Sequence, residues 1–171
     1  PSTPMRIAKT IARMLLAAFL ILAGISHLTF GRADFRAQVP VWLPLDVDFV
    51  VLASGVVEIL LGLALVSASK HLPKVGLVVA LFFVVIFAGN INQYVQGIDA
   101  FGLNTDEARF IRLFFQPLLV VWALWSSNAL KTFAKTICSA VILSLTISAQ
   151  AEKTNADQVA EEVKQAVSAE P

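Results

Sequence analysis

Four long uncharged runs alternate with short charged segments along the first 130 residues. The runs cover residues 14–31, 49–69, 75–98 and 113–130, and their only charged or histidine side chains are His27 and Glu58. An α-helix rises about 1.5 Å per residue, so roughly 20 apolar residues cross the ~30 Å hydrocarbon core of a bilayer. Because the runs are continuously apolar and do not alternate, they are typical of helices rather than of membrane strands. The pattern predicts four transmembrane helices.

Residues 131–151 form a segment of a different kind. Lys131 and Lys135 precede an uncharged run, and Ala149-Gln150-Ala151 has the small-x-small form of a signal-peptidase site. Three outcomes are open: a retained fifth transmembrane helix, which we favour, a segment cleaved after Ala151, or a helix lying on the membrane surface. If the segment inserts, its lysines stay inside and the residues after it emerge outside.

The chain ends in a polar tail, residues 152–171, with five acidic and two basic side chains. We expect a solvated acidic tail, and the valines at 159, 163 and 167 leave a short docking helix as the alternative. The sequence thus predicts an all-α integral membrane bundle with a four-helix core at residues 1–130. A signal-like or fifth spanning segment follows at 131–151, and the tail completes the chain.

Composition agrees with a lipid environment. Of the 171 residues, 57% are hydrophobic and 15% are charged, whereas soluble domains carry about 25% charged residues. The single cysteine, Cys138, excludes an internal disulfide or a CxxC pair, and no metal site is predicted. Neither half of the chain has the charge of a nucleic-acid binder. We expect no cofactor within the chain, although it could bind a quinone. Redox chemistry would therefore require that quinone or a partner protein.

The distribution of basic residues predicts the orientation of the core. Seven lysines and arginines lie before the first helix, between the second and third, and after the fourth, at positions 6, 9, 13, 70, 74, 131 and 135. The other two loops contain six acidic residues together with four arginines. Because cytoplasmic loops are enriched in Lys and Arg, both ends of the core are predicted to be cytoplasmic. The segment Gln38–Pro44, with two prolines and Trp42, is predicted to lie along the outer membrane surface.

Two ionisable residues fall inside predicted helices, where charge is costly without a partner or a water-filled cavity. Glu58 shares a helix face with Ser54 and Gly62, and small residues there allow a neighbouring helix to approach closely. We therefore expect Glu58 to point into the bundle. His27 has Gly24 and Gly31 on its own face. Structural pairing is the alternative to a proton-handling or ligand-binding role for either residue.

Further polar residues fall in the outer halves of the predicted third and fourth helices. Asn90, Asn92 and Tyr94 lie near the end of the third helix, and Arg109, Arg112 and Gln116 form one stripe at the start of the fourth. Because neighbouring helices run in alternate directions, these side chains converge at one depth. The sequence predicts a polar pocket that opens outward, with a hydrogen-bonded plug as the structural alternative. The ligand-binding candidates are His27, Glu58, Asn90, Asn92, Tyr94, Arg112 and Gln116, and among them Glu58 and Arg112 are the candidates for proton handling.

Five stretches carry a resemblance to a known family. They are Gly24-Ile-Ser-His27-Leu-Thr-Phe30, Ser54-Gly55-Val-Val-Glu58-Ile-Leu-Leu-Gly62-Leu, and Gly89-Asn90-Ile-Asn92-Gln93-Tyr94 followed by Phe101-Gly102-Leu-Asn-Thr-Asp106 and Arg112-Leu-Phe-Phe-Gln116-Pro117. From residue 14 to about residue 128 the chain resembles the DoxX family of small bacterial membrane proteins. The resemblance implies a four-helix bundle in the bacterial inner membrane. Relatives include a subunit of thiosulfate:quinone oxidoreductase and proteins associated with thiol redox balance or with methylamine-dehydrogenase maturation.

Three functions are compatible with these residues. The first is a membrane subunit or accessory of a quinone-linked or thiol/sulfur redox system, in which His27, Asn90 and Gln116 bind the carbonyls of a quinone. Such a subunit is a quinone-binding or non-catalytic part of an oxidoreductase and needs a partner protein as electron donor. The second is a non-enzymatic scaffold or assembly factor that binds a periplasmic or membrane partner through the loops at residues 39–48 and 97–107, with the intramembrane polar residues serving packing only. A homo-oligomer is possible as well. The third is a pathway for a small solute or protons.

Overall fold

A computed structural model describes residues 2–67 and 70–169 of the chain. Within these residues the protein consists of six α-helices and no named strand: α1 (Thr3–Leu28), α2 (Arg32–Arg36), α3 (Val47–Ser67), α4 (Leu72–Gln96), α5 (Asp106–Ser126) and α6 (Leu130–Ser168). The predicted all-α class is confirmed. Every helix except α2 is long and apolar enough to cross a membrane, so the chain is a multi-pass membrane protein in contact with lipid.

The four helices of the core correspond to the four predicted runs, with shifted ends. Helix α1 begins well before the first run because Arg6, Lys9 and Arg13 interrupt the hydrophobic run without interrupting the helix. Helix α5 also begins early, since the Thr105 hydroxyl caps it by accepting a hydrogen bond from Ala108 N at 3.1 Å. The end predicted for the second run, residue 69, lies outside the described residues.

Chain connections follow local sequence signals. Pro73 occupies the first turn of α4, where its missing N–H costs nothing. At the other end, Gly97 adopts φ 62°, and its N–H caps the last carbonyls of α4. A glycine suits this position because a side chain strains the left-handed conformation. These signals set where α4 begins and ends.

Helices α1 and α3 pack along each other, and α4 packs along α5, while contact between α3 and α4 is sparse. The buried apolar side chains fill one half of this bundle, at the end where α1 begins and α5 finishes; they include Leu16, Leu20, Leu65, Val79, Phe83 and Leu124. The buried polar side chains lie mainly in the other half. The functional candidates therefore occupy the end of the bundle at which α1 and α4 finish and α3 and α5 begin.

Helix α6 forms a unit of its own from residue 131 onward. It continues without a break from the apolar segment into the polar tail as far as Ser168, and none of its residues is buried. The hydrophobic segment and the tail predicted at 152–171 thus share one helix among the described residues. The last two positions of the predicted tail, 170 and 171, lie outside the described residues.

Candidate functional site

A cavity of about 510 Å³ occupies the polar half of the core. This volume lies within the ~300–1,000 Å³ range of small-molecule sites. The four long helices of the core contribute to its wall, among other positions with residues 19, 23 and 27 of α1, 50, 54 and 58 of α3, 82, 86 and 89 of α4, and 112, 116 and 119 of α5. These spacings of three and four place each set on a single helical stripe. The cavity is therefore a central space between all four helices.

The most buried ionisable groups of the cavity wall are His27 and Glu58. His27 Nδ1 lies 2.6 Å from Glu58 Oε2, and the two residues are 6% and 4% exposed. Side chains tilt toward the N-terminus of their own helix, so His27 on α1 and Glu58 on the antiparallel α3 lean toward each other. The Phe35 ring covers the imidazole, with ring centroids 3.4 Å apart. The pair is a buried acid–base couple at the edge of the cavity.

Two glycines make this pairing possible. A Cβ atom on Gly55 would lie 2.6 Å from His27 Cβ and 2.9 Å from Gly24 O, and a Cβ atom on Gly24 would lie 2.5 Å from Gly55 O. All three distances are shorter than van der Waals contact. The backbones of α1 and α3 thus approach each other closely because both positions lack a side chain, as in membrane helix pairs generally.

A chain of side-chain amides forms the opposite wall. Asn90 Nδ2 donates to Gln116 Oε1 at 3.3 Å, and Gln116 Nε2 donates to the carbonyl oxygen of Phe83 at 2.6 Å. Arg112 Nη1 lies 3.4 Å from the same Gln116 oxygen. Among the described residues Arg112 forms no ion pair. Its half-buried guanidinium lines the cavity with donors left for a ligand.

The predicted surface segment closes the end of the cavity. Gln38, Val39, Pro40, Trp42 and Leu43 line it from above, and we call residues 37–43 the roof. Gln38 Nε2 donates to Asn90 Oδ1 at 3.2 Å and to Gln93 Oε1 at 3.1 Å. Trp42 is 71% exposed at the outer side of the roof, a location that suits an interfacial tryptophan.

Asn92 fixes the backbone of the roof. Its Nδ2 donates to the carbonyl oxygens of Ala37 and Val39 at 3.3 and 3.2 Å, and its Oδ1 accepts a bond from Val41 N at 3.4 Å. The absence of a side chain at Gly89 leaves room for the Gln38 backbone against α4. The motif from Gly89 to Gln93 therefore has two tasks, since Asn90 faces the cavity and its neighbours hold the roof.

Five of the seven sequence candidates line the cavity: His27, Glu58, Asn90, Arg112 and Gln116. Asn92 and Tyr94 do not line it. Tyr94 packs on Phe110, with ring centroids 5.7 Å apart, because at its level α4 faces α5 and has passed the cavity. Arg109, on the predicted stripe, instead binds Asp99 at 2.6 Å and Asp106 at 2.8 Å and fixes the α4–α5 loop.

Sequence reasoning missed two residues of the site, Gln38 and Phe35. Both belong to the connection between α1 and α3, Phe35 in the five-residue helix α2 and Gln38 just after it, and this stretch is too short for helical periodicity to indicate side-chain direction. The one available signal was composition, because Gln38 begins a segment with two prolines and a tryptophan. Such a segment lies at the membrane boundary but does not by itself reveal a fold back onto α4.

Comparison with known proteins gives a family without an assigned activity. No curated protein and no solved structure matches the chain. A family model described as "Domain of unknown function (DUF8561)" matches residues 16–127. The match begins within α1, includes all the cavity-lining helices and stops before α6. Since it covers well over half of the chain, the protein belongs to the DUF8561 family.

Proposed function

We propose that the protein is a quinone-binding membrane subunit or accessory of a redox system. The proposal rests on one observation, which is that the two ends of the cavity differ in polarity. His27, Glu58, Asn90, Arg112 and Gln116 gather at one end, whereas Phe19, Phe82 and Leu119 line the other. A ligand that fits both ends has a polar head and an apolar body, as membrane quinones do.

The donors of the polar end suit the two carbonyl groups of a quinone ring. Arg112 offers N–H groups that no carboxylate of the described residues occupies. His27 Nδ1 lies 2.6 Å from Glu58 Oε2, so Nε2 is the ring nitrogen left for a ligand. His27 and Arg112 line the cavity from different helices, α1 and α5. In this proposal each binds one carbonyl oxygen of the ring.

A quinone, when bound, accepts two electrons and two protons. His27, stabilised as an imidazolium by the Glu58 carboxylate, would hold one of these protons for a carbonyl oxygen, and water at the open side of the cavity would supply the other. Arg112 would stabilise negative charge on the ring. Burial within the bundle strengthens both effects, since water does not screen them.

The electrons in this proposal come from a partner protein, as the DoxX resemblance implies for the family's redox members. Localisation and orientation are part of the proposal: the protein resides in the bacterial inner membrane with the cavity end facing outward. The charge distribution of the loops supports this orientation. The resemblance, carried by His27, Glu58 and the Arg112–Gln116 spacing, supports the choice of a redox system.

The test combines extraction and binding. We expect protein purified from its own membranes in mild detergent to carry quinone in near-stoichiometric amount by liquid chromatography. In nanodiscs, Arg112→Gln and Glu58→Gln should each weaken the affinity for added quinone at least tenfold, equivalent to about 1.4 kcal/mol. Arg36→Gln is the matched control, because Arg36 lies outside the cavity in an exposed pair with Asp48.

Wild-type binding that is absent, or equal in all variants, would refute the proposal. A protein partner that co-purifies in constant ratio without quinone would instead favour the scaffold alternative. Under that alternative Glu58→Gln should impair function only to the extent that it lowers the amount of folded protein in the membrane.

A further inference from the structure

We propose that the ligand of this cavity enters sideways from the lipid, through a gap between α3 and α4, and that its apolar chain remains in this gap. The inference rests on the proposed function, since it assumes that the cavity binds a membrane amphiphile. It adds the route of entry and the residues that select the apolar chain. We call these residues the gap: Val50 and Ser54 on α3, and Phe82 and Val85 on α4.

The cavity is long in the direction of the helices. On α1 its wall extends from His27 to Phe19, and on α4 from Asn90 to Phe82. Each of these spans is eight residues, or about 12 Å of helix rise. The cavity thus continues from the polar head site toward the middle of the membrane, where the walls are aromatic and aliphatic. An amphiphile lies along this axis with its chain pointing inward.

One side of this lower part is open. Val85 lines the cavity and is also 63% exposed on the outer surface of the bundle. A side chain with both properties lies at the rim of an opening, and Trp42 in the roof is a second such position. Val50 and Ser54 on α3 face the same space and are partly exposed. Contact between α3 and α4 is sparse, whereas close packing holds α1 to α3 and α4 to α5.

The alternative route, past Trp42 at the roof, crosses a segment that several hydrogen bonds hold in place. Asn92 binds the backbone at three roof positions, and Gln38 binds both Asn90 and Gln93. Beside the roof, Arg36 donates two hydrogen bonds of 2.7 Å to the carboxylate of Asp48 and ties α2 to α3. Entry through the roof breaks these bonds, while entry through the gap displaces only lipid.

The experiment compares two probes, a long-chain isoprenoid quinone and a short-chain quinone with the same ring, in nanodiscs of neutral phospholipid. Val85→Trp narrows the gap from the α4 side and Ser54→Leu narrows it from the α3 side. Val84→Trp is the matched control, because Val84 is 55% exposed but does not line the cavity.

We expect Val85→Trp and Ser54→Leu to weaken binding of the long-chain quinone at least tenfold, with less than a twofold change for the short-chain quinone. Val84→Trp should change neither. If the short-chain quinone binds and no gap variant distinguishes the probes, the lateral route is wrong and the proposed function stands. If wild-type protein binds neither probe, both proposals are wrong.

Discussion

His27 and Glu58 depend on each other because both are buried in membrane-spanning helices. Removing one member of a buried pair leaves its partner without compensation. We predict that His27→Ala and Glu58→Ala each destabilise the protein, and that the double variant loses less than the sum. Groups in contact show coupling energies of 0.5–3 kcal/mol, and we expect about 2 kcal/mol here. Chemical unfolding in detergent micelles of the four proteins of this cycle measures the coupling.

The exposed pair of Arg36 and Asp48 provides the control for this cycle. Its nitrogen–oxygen distance, 2.6 Å, equals that of the buried pair, but its side chains are about half exposed. Exposed pairs contribute about 0–1 kcal/mol, so alanine substitutions there should couple weakly. Equal coupling in both pairs would show that burial does not strengthen the interaction of His27 with Glu58.

Single residues also show how far the sequence predicts the site. The cost of charge in a membrane identifies His27 and Glu58, since each must find a partner or a cavity. Helical spacing adds Asn90, Arg112 and Gln116. Helical spacing also selects Tyr94, which does not line the cavity. Spacing shows which face of a helix a residue occupies, but it does not show how far along the helix the cavity extends. Gln38 was not predictable because its direction depends on the path of the roof.

At the scale of the elements, the position of α1 against α3 depends on Gly24 and Gly55. We predict that Gly55→Ala destabilises the core by about 1–3 kcal/mol, as overpacking does elsewhere, since the added methyl would lie 2.6 Å from His27 Cβ. In a free helix the same change stabilises by up to ~1 kcal/mol. A net loss in micelle unfolding experiments therefore reports the helix contact and not helix propensity.

An exposed position on the same pair of helices is the comparison for Gly55→Ala. Ala18→Leu adds more atoms to α1, but Ala18 is exposed, so we expect a change below about 0.5 kcal/mol. If Gly55→Ala is equally harmless, α1 and α3 can separate without cost, and the close approach at the glycines does not fix the His27–Glu58 distance.

Hydrophobicity predicts the elements of the core well because the bilayer requires each span to satisfy its own backbone hydrogen bonds. Its errors lie at the charged ends of helices. The first hydrophobic run starts after Arg13 and the fourth after Arg112, whereas α1 and α5 begin earlier and contain these residues. Capping signals such as Thr105 and Gly97 locate helix ends better. The sequence does not identify α3 as the packing partner of α1. The close approach of these helices at Gly24 and Gly55 becomes clear only from the atoms that surround the two glycines in the structure.

For the whole molecule, the arrangement of charges predicts which ends lie on each side of the membrane. In a Cys138→Ser background, single cysteines at Thr105, Lys70 and Asn155 report the cavity end, the opposite end and the region after the apolar part of α6. We predict that a membrane-impermeant maleimide added to intact spheroplasts labels positions 105 and 155. Position 70 should become labelled only after permeabilisation, because its lysine belongs to the basic loops that stay inside.

The pattern of labelling separates the alternatives for α6. The described helix has 38 residues after Leu130, enough for about 57 Å of rise, so it can cross the hydrocarbon core and continue beyond it. Label at 105 without label at 155 in full-length protein contradicts a spanning α6 and favours a surface helix. A shorter product that has lost position 155 identifies cleavage after Ala151. Label at 70 with none at 105 reverses the predicted orientation, and the cavity then faces the cytoplasm, so its redox partner must be sought there.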